Sequence, residues 1–257
     1  MPFADNQGVR IYYQVEGKGP PLVLLHGFGM THWVWYQGGY VDGLKDEYRL
    51  ILVDGRGCGQ SDKPHDTAAY ALPSLVGDIV AVLDDLDVER ASYFGVSWGG
   101  YVGRGIARYV PQRFRSLIFC GDGPSEDRFD PERDQALQVS RAGREVAVPV
   151  LREWFGQWWT SEWECYYAEA DYDALVASRL AIANLDVNEV VASLTMPCLF
   201  LIGESDPGYP SIKACCERVP IATFVSLPGL DHFGAFLYGD RSLPHVRRFL
   251  AQVASQE

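Results

Sequence analysis

Six short apolar runs, separated by stretches of helical spacing, constrain this chain more than any other feature. They are Pro21–His26, Tyr48–Asp54, Arg90–Val96, Arg115–Gly121, Cys198–Gly203 and Thr223–Leu227. Runs this short and this continuously apolar suit strands buried on both faces of a sheet. Between them, residues 72–86, 99–109, 211–218 and 242–254 repeat apolar positions with helical spacing. Strands alternating with helices predict an α/β fold, a mostly parallel sheet with helices on both faces. Val9–Val15 alternates in period two and predicts a strand in an opening hairpin.

One stretch breaks the rhythm. Residues 124–193 offer no strand and are helical in pattern and rich in aromatics. Their place between two core strands predicts an inserted helical cap, leaving a core built from 1–123 and 194–257. A length of 257 residues fits one core plus an insertion rather than two independent domains.

The formal net charge of −12 opposes nucleic acid and anionic membrane surfaces as partners, because the summed field repels polyanions. No apolar stretch approaches the roughly 20 residues of a membrane span, and no basic-then-apolar leader opens the chain. The six cysteines are scattered, with no CxxC, and a chain of this size needs no disulfide framework. The expectation is a reduced, cytoplasmic protein. Oligomeric state is not legible.

Gly95-Val96-Ser97-Trp98-Gly99 matches G-x-S-x-G at the end of a predicted strand and the start of a predicted helix. That context suits a sharp turn that strains Ser97 and exposes its hydroxyl, with glycines letting neighbouring backbone pass. A serine needs a base to take its proton. Of the five histidines, His232 follows the last predicted strand and a Pro228-Gly229 turn, which puts it on the same sheet edge as Ser97. His245 falls in the terminal helix, His65 in a loop and His32 near the start of a helical stretch. Residues 54–62 lack the GK[ST] ending of a phosphate-binding loop and read as a structural turn. The His and Cys spacings offer no zinc site.

Five ordered motifs together give the chain a wider likeness. They are His26-Gly27-Phe28-Gly29, the loop Asp54–Asp62, the turn Gly95–Gly100, Gly203-Glu204-Ser205-Asp206 and Gly229-Leu230-Asp231-His232-Phe233. In this the sequence resembles the α/β-hydrolase superfamily, in its capped esterase, lactonase and C–C hydrolase branch. The resemblance implies that the backbone N–H groups of Phe28 and Trp98 form an oxyanion hole, with His26 tying down its loop. It also implies a carboxylate behind His232. Asp206, past the strand 198–203, gives the chain order Ser, Asp, His expected of such a fold. Asp122, past the preceding core strand, is the rival, because some relatives carry their acid there. Asp231 adjoins the histidine and is expected on the surface.

The cap segment crowds Trp154, Phe155, Trp158, Trp159, Trp163, Tyr166 and Tyr167 together. Several pairs fall at i, i+4, which on one helix makes aromatic columns. Most are expected to pack the cap. Trp98, Phe28, Trp154, Trp158, Trp159 and Phe233 are the expected lining of an apolar substrate pocket. The implied activity is hydrolysis of a small hydrophobic carboxylic ester or lactone through an acyl-enzyme on Ser97, with no metal or organic cofactor. C–C bond hydrolysis of a ring-cleavage product with the same triad is the alternative enzymatic reading. A non-enzymatic ligand sensor on the same fold is the other. Dehalogenases and epoxide hydrolases carry a carboxylate where Ser97 stands.

Overall fold

The computed structural model describes residues 2–255. The strands are β1 (Phe3–Asn6), β2 (Val9–Glu16), β3 (Pro21–Leu25), β4 (Arg49–Val53), β5 (Ala91–Val96), β6 (Phe114–Cys120), β7 (Cys198–Gly203) and β8 (Ala222–Leu227). They form one eight-stranded sheet in the order β1-β2-β4-β3-β5-β6-β7-β8. The β1–β2 and β2–β4 pairs are antiparallel and every other pair is parallel.

Before the insertion come helices α1 (Trp33–Gln37), α2 (Tyr40–Leu44), α3 (Leu72–Asp85) and α4 (Trp98–Tyr109). The insertion between β6 and β7 holds α5 (Gln135–Arg141), α6 (Arg144–Phe155), α7 (Ser161–Glu169), α8 (Tyr172–Leu180) and α9 (Val187–Ser193). Then follow α10 (Tyr209–Cys216), α11 (Gly234–Leu237) and α12 (Gly239–Ala254). No helix among the described residues is long and apolar enough to cross a membrane.

Alternation along each strand feeds two cores. Tyr93, Leu117 and Phe119 join α3 and α4 on one face, while Phe94, Ile118 and Cys120 join α1, α2 and α12 on the other. Helix α3 buries Leu72, Leu75, Val76, Ile79, Val82 and Leu83, a spacing of threes and fours that presents one apolar stripe to the sheet. The insertion is fastened to the core by polar contacts. Trp163 Nε1 donates to Gln37 Oε1 at 2.7 Å, and His65 Nε2 meets Asp171 Oδ2 at 2.9 Å.

The aromatic columns expected on one continuous helix do not form. Gly156, at φ 51°, ends α6, a short 3-10 turn covers Gly156–Trp158, and α7 starts afresh at Ser161. Phe155 still meets Trp159 and Trp163 across the break, with ring centres 5.8 and 5.2 Å away.

The sheet order positions the site. The chain steps outward from β3 to β4 and then returns to β5 on the other side of β3, so β3 and β5 are parallel neighbours with Leu25 opposite Gly95. Their carboxyl ends open a crevice at this reversal, where open α/β sheets bind ligands. Ser97 alone makes the turn from β5 into α4, at φ 49° and ψ −109°. Such a conformation persists in a non-glycine residue only where its surroundings impose it. Here they do. A Cβ on Gly95 would lie 2.4 Å from the backbone of Gly99, and one on Gly99 would lie 2.3 Å from the carbonyl oxygen of Leu25. Gly99→Ala is therefore expected to cost about 2–4 kcal/mol, since backbone on both sides must shift. Urea unfolding measures this, and a midpoint equal to that of the parent chain contradicts the packing argument.

Candidate active site

Across the carboxyl edge of the sheet the loops follow in register: Phe28 after β3, Ser97 after β5, Asp122 after β6, Asp206 after β7 and His232 after β8. His232 reaches back over β7 and β6 to the serine. Gly121, at φ 66°, clears its path, for a Cβ there would sit 3.2 Å from His232 Cε1.

The imidazole lies between two partners. His232 Nδ1 is 2.7 Å from Asp206 Oδ2, and His232 Nε2 is 3.0 Å from Ser97 Oγ. An ionised carboxylate only accepts, so the Nδ1 proton points at Asp206 and Nε2 is left to accept from the serine hydroxyl. Burial pushes the Asp206 pKa up, but the His232 hydrogen bond and charge and the Gly208 N–H together hold it below its ordinary value. Gly208 N donates to Asp206 Oδ1 at 2.8 Å. The acid is thus kept ionised and aimed.

Asp122 has a different partner. Its Oδ1 accepts from Arg104 Nη2 at 3.1 Å, and its side chain is packed against the first turn of α4. Burial raises its pKa to about 6, against the opposing pull of Arg104, the Gly123 N–H and His232. Asp231 is exposed and accepts from Gly234 N at 2.7 Å.

The loop that carries Phe28 lies beside Ser97, where a Cβ on Gly27 would meet Ser97 Cβ at 3.6 Å, and Trp98 follows Ser97 in the chain. Among the described residues neither the Phe28 nor the Trp98 N–H has a hydrogen-bond acceptor, and Trp98 N opens α4, where helix N–H groups are free. His26 is fully buried. Its Nδ1 lies 2.8 Å from Gly27 O, and its Nε2 accepts from Gly55 N at 3.0 Å. That arrangement joins the Phe28 loop to the loop after β4, and burial lowers the His26 pKa, favouring the neutral ring. The Asp54–Asp62 loop closes on itself. Asp54 accepts from His32 N at 2.7 Å and from Gln60 N at 3.0 Å, while Ser61 Oγ donates to Asp54 O at 2.6 Å.

A cavity of about 780 Å³ opens over Ser97 and His232. Phe28, Trp154 and Phe233 are in its wall, as are Met30, Phe155 and Tyr167. Three of the residues expected in that wall are elsewhere. Trp98 is 4% exposed, and its ring turns away from the cavity into the slot that Gly55 leaves open, parallel to His26 at 6.4 Å. Trp158 packs edge-on against Tyr238 at 4.9 Å. Trp159 stacks on Tyr167 at 5.7 Å and donates to Glu164. The break at Gly156 separates both from Trp154. Sequence reading missed Met30, Tyr167, Leu175, Arg179 and Phe236, which line the cavity from separate elements. No local pattern marks them.

Residues 20–171, more than half of the chain, match the family model described as alpha/beta hydrolase fold. The chain belongs to this family. An enol-lactonase from Burkholderia xenovorans superposes on this alpha/beta hydrolase with a TM-score of 0.82 at 21% identity, covering 97% of this chain and all of the other. A 3-oxoadipate enol-lactonase of Acinetobacter baylyi is 28% identical over 215 residues, which is 79% of this chain and 78% of that protein. A cis-3-alkyl-4-alkyloxetan-2-one decarboxylase of Shewanella oneidensis is 37% identical over 123 residues. That match spans 47% of this chain but only 38% of the longer relative.

The raised pKa of Asp122 has a signed consequence for this alpha/beta hydrolase. Its folded value of about 6 lies above the ordinary aspartate value of 3.8. The protonated form is favoured by folding, so its stabilising contribution is full below pH ~4 and is lost as pH rises through ~6. Asp122→Asn lacks that titration. The stability of the variant relative to the parent is therefore expected to rise between pH 4 and pH 7, by at most about 3 kcal/mol. Paired urea titrations across that range read the difference directly. A flat difference, or one that falls, excludes the assignment.

Proposed function

We propose that this alpha/beta hydrolase is a serine hydrolase of hydrophobic carboxylic esters or lactones. The reading is carried by one observation, the unbroken line of contacts from Ser97 Oγ through His232 to Asp206. His232 Nε2 takes the hydroxyl proton as Oγ attacks the carbonyl carbon. The negative oxygen of the tetrahedral intermediate is received by the Phe28 and Trp98 amides, each worth about 3 kcal/mol of barrier by analogy with comparable donors. Collapse breaks the acyl–oxygen bond, and the alkoxide leaves with the proton from His232. Water, activated by the same nitrogen, then releases the acid and restores Ser97.

Asp206 holds the tautomer that keeps Nε2 an acceptor and balances the imidazolium that forms on each proton transfer. Asp122, turned to Arg104, has neither role in this scheme. In this reading residues 124–193 act as the cap, and its α5, α6 and α8 supply wall residues to the cavity. Phe28, Trp154, Phe155 and Phe233 favour an apolar acyl or ring-bearing group. The enol-lactonase relative, which is named for a ring ester, supports the same substrate class.

A fluorophosphonate probe followed by peptide mass spectrometry is expected to modify Ser97. Against a panel of p-nitrophenyl esters and lactones, Ser97→Ala is expected to lower kcat by ~10⁴–10⁶, with unchanged circular dichroism. Asp206→Asn is expected to lower it by ~10⁴, because the wrong tautomer is then favoured. Asp122→Asn should lose less than about tenfold, since it does not orient the base. Sustained turnover by Ser97→Ala, or equal losses at the two aspartates, defeats the assignment. Turnover confined to a ring-cleavage dienoate assigns the C–C reaction instead.

A further inference from the structure

Helix α8 lies directly on the loop that carries the Phe28 amide. Two of its residues, one helical turn apart, stand beside consecutive loop positions. A Cβ on Gly29 would meet the Leu175 side chain at 3.9 Å, and the Arg179 guanidinium carbon is 5.0 Å from the centre of the Phe28 ring. The same guanidinium is 5.5 Å from the Phe129 ring. One edge of its fork is occupied, Nε donating to Asp134 Oδ1 at 2.9 Å and Nη2 to Asp134 Oδ2 at 2.6 Å.

These contacts anchor the cation from several directions. Asp134 caps α5, accepting from Leu137 N at 2.7 Å. Phe129 is pinned by Asn184, which accepts from Phe129 N at 2.7 Å and donates to Phe129 O at 3.1 Å. A guanidinium whose edge is spent on a carboxylate still offers its weakly hydrated face to an aromatic ring. Arg179 lines the cavity, with the Nε–Nη2 edge of its fork spent on Asp134. Gly27 and Gly29 flank Phe28 and offer no side chain of their own. The ring between them, half-buried against the core, is the side chain of this stretch that Arg179 reaches.

We propose that Arg179 is a positioning residue, which clamps the Phe28 ring and so fixes the aim of the Phe28 N–H at the developing oxyanion. The proposal rests on the acyl-transfer reading above. Its effect falls on the transition state, because the donor must meet the oxyanion and not the ground-state carbonyl oxygen.

The test measures kcat and KM for p-nitrophenyl butyrate with the full chain and its variants. Arg179→Met is expected to lower kcat about 10- to 100-fold with KM changed less than about threefold, as a misaimed donor would. Arg179→Lys, which keeps a cation over the ring but loses the fork, is expected to recover part of that loss. Phe28→Leu keeps the amide and removes the ring, so its loss should resemble that of Arg179→Met. The double variant should lose no more than the worse single one, because both break one clamp.

A kcat within twofold of the parent for Arg179→Met overturns the proposal. So does a loss expressed in KM, or losses that multiply in the double variant. Where Arg179→Met fails to fold, Arg179→Lys and Phe28→Leu decide, and parental kcat in both overturns it. Failure of the fluorophosphonate to modify Ser97 in the parent chain sinks the acyl-transfer reading and the proposal with it. That result is distinct from a modified, active enzyme in which Arg179 is dispensable.

Discussion

Gly95 and Gly99 bring the end of β5 and the start of α4 closer together than any side chain permits, with backbone atoms 2.4 Å from where a Cβ would stand. That approach forces the whole reversal onto one residue, and Ser97 takes up φ 49° as a result. Its hydroxyl consequently stands at the sheet edge rather than among the strand or helix side chains. The parallel pairing of β3 with β5 then brings the Phe28 loop alongside, and the absence of a side chain at Gly121 lets His232 cross two strands to reach it. The elbow depends on backbone passing where a methyl group would not fit, and the reach of His232 on a glycine at φ 66° beside its ring.

Two aspartates along one sheet edge have their pKa values moved in opposite directions. Asp206 receives an imidazole N–H and a backbone N–H, both directed at its charged form. Asp122 has an arginine beside it, yet burial outweighs that charge and its pKa rises. Donors from Arg104 and the Gly123 N–H serve its oxygens too, so desolvation decides the balance rather than a lack of partners. Orientation follows the same division. Asp206 sits in line with Nδ1 and fixes the tautomer, whereas Asp122 is drawn toward α4 and away from the ring.

The core strands were legible from the sequence because each is buried on both faces and reads as an unbroken apolar run, as Leu22–Leu25 and Leu50–Val53 do. Ser97 and His232 were legible because each sits at a punctuated strand end. The insertion was legible only as helical. Trp154, Trp158 and Trp159 looked like neighbours on one helix, but a single glycine in a left-handed conformation redirects the chain between them. Trp98 adjoins the nucleophile in sequence, yet which side its ring leaves by is set by the slot at Gly55, forty-three positions earlier. Arg179 carries no local signal at all, since its partners Phe28, Phe129 and Asp134 come from three separate segments.

An insertion after β6 emerges at the same edge of the sheet as the crevice between β3 and β5, which lets one set of helices serve two purposes. Val139, Leu151 and Trp154, on α5 and α6, face the cavity without touching the Phe28 loop through any close ring or ion contact. Leu175 and Arg179, on α8, face the cavity and also bear on that loop. On the reading proposed above, substitutions on the cavity side of α6 reshape the space for an acyl group, whereas those on α8 also bear on the loop that carries Phe28. Helix α5 belongs with α8, because Asp134 at its N-terminus holds the Arg179 fork. The division runs between helices rather than between the insertion and the core.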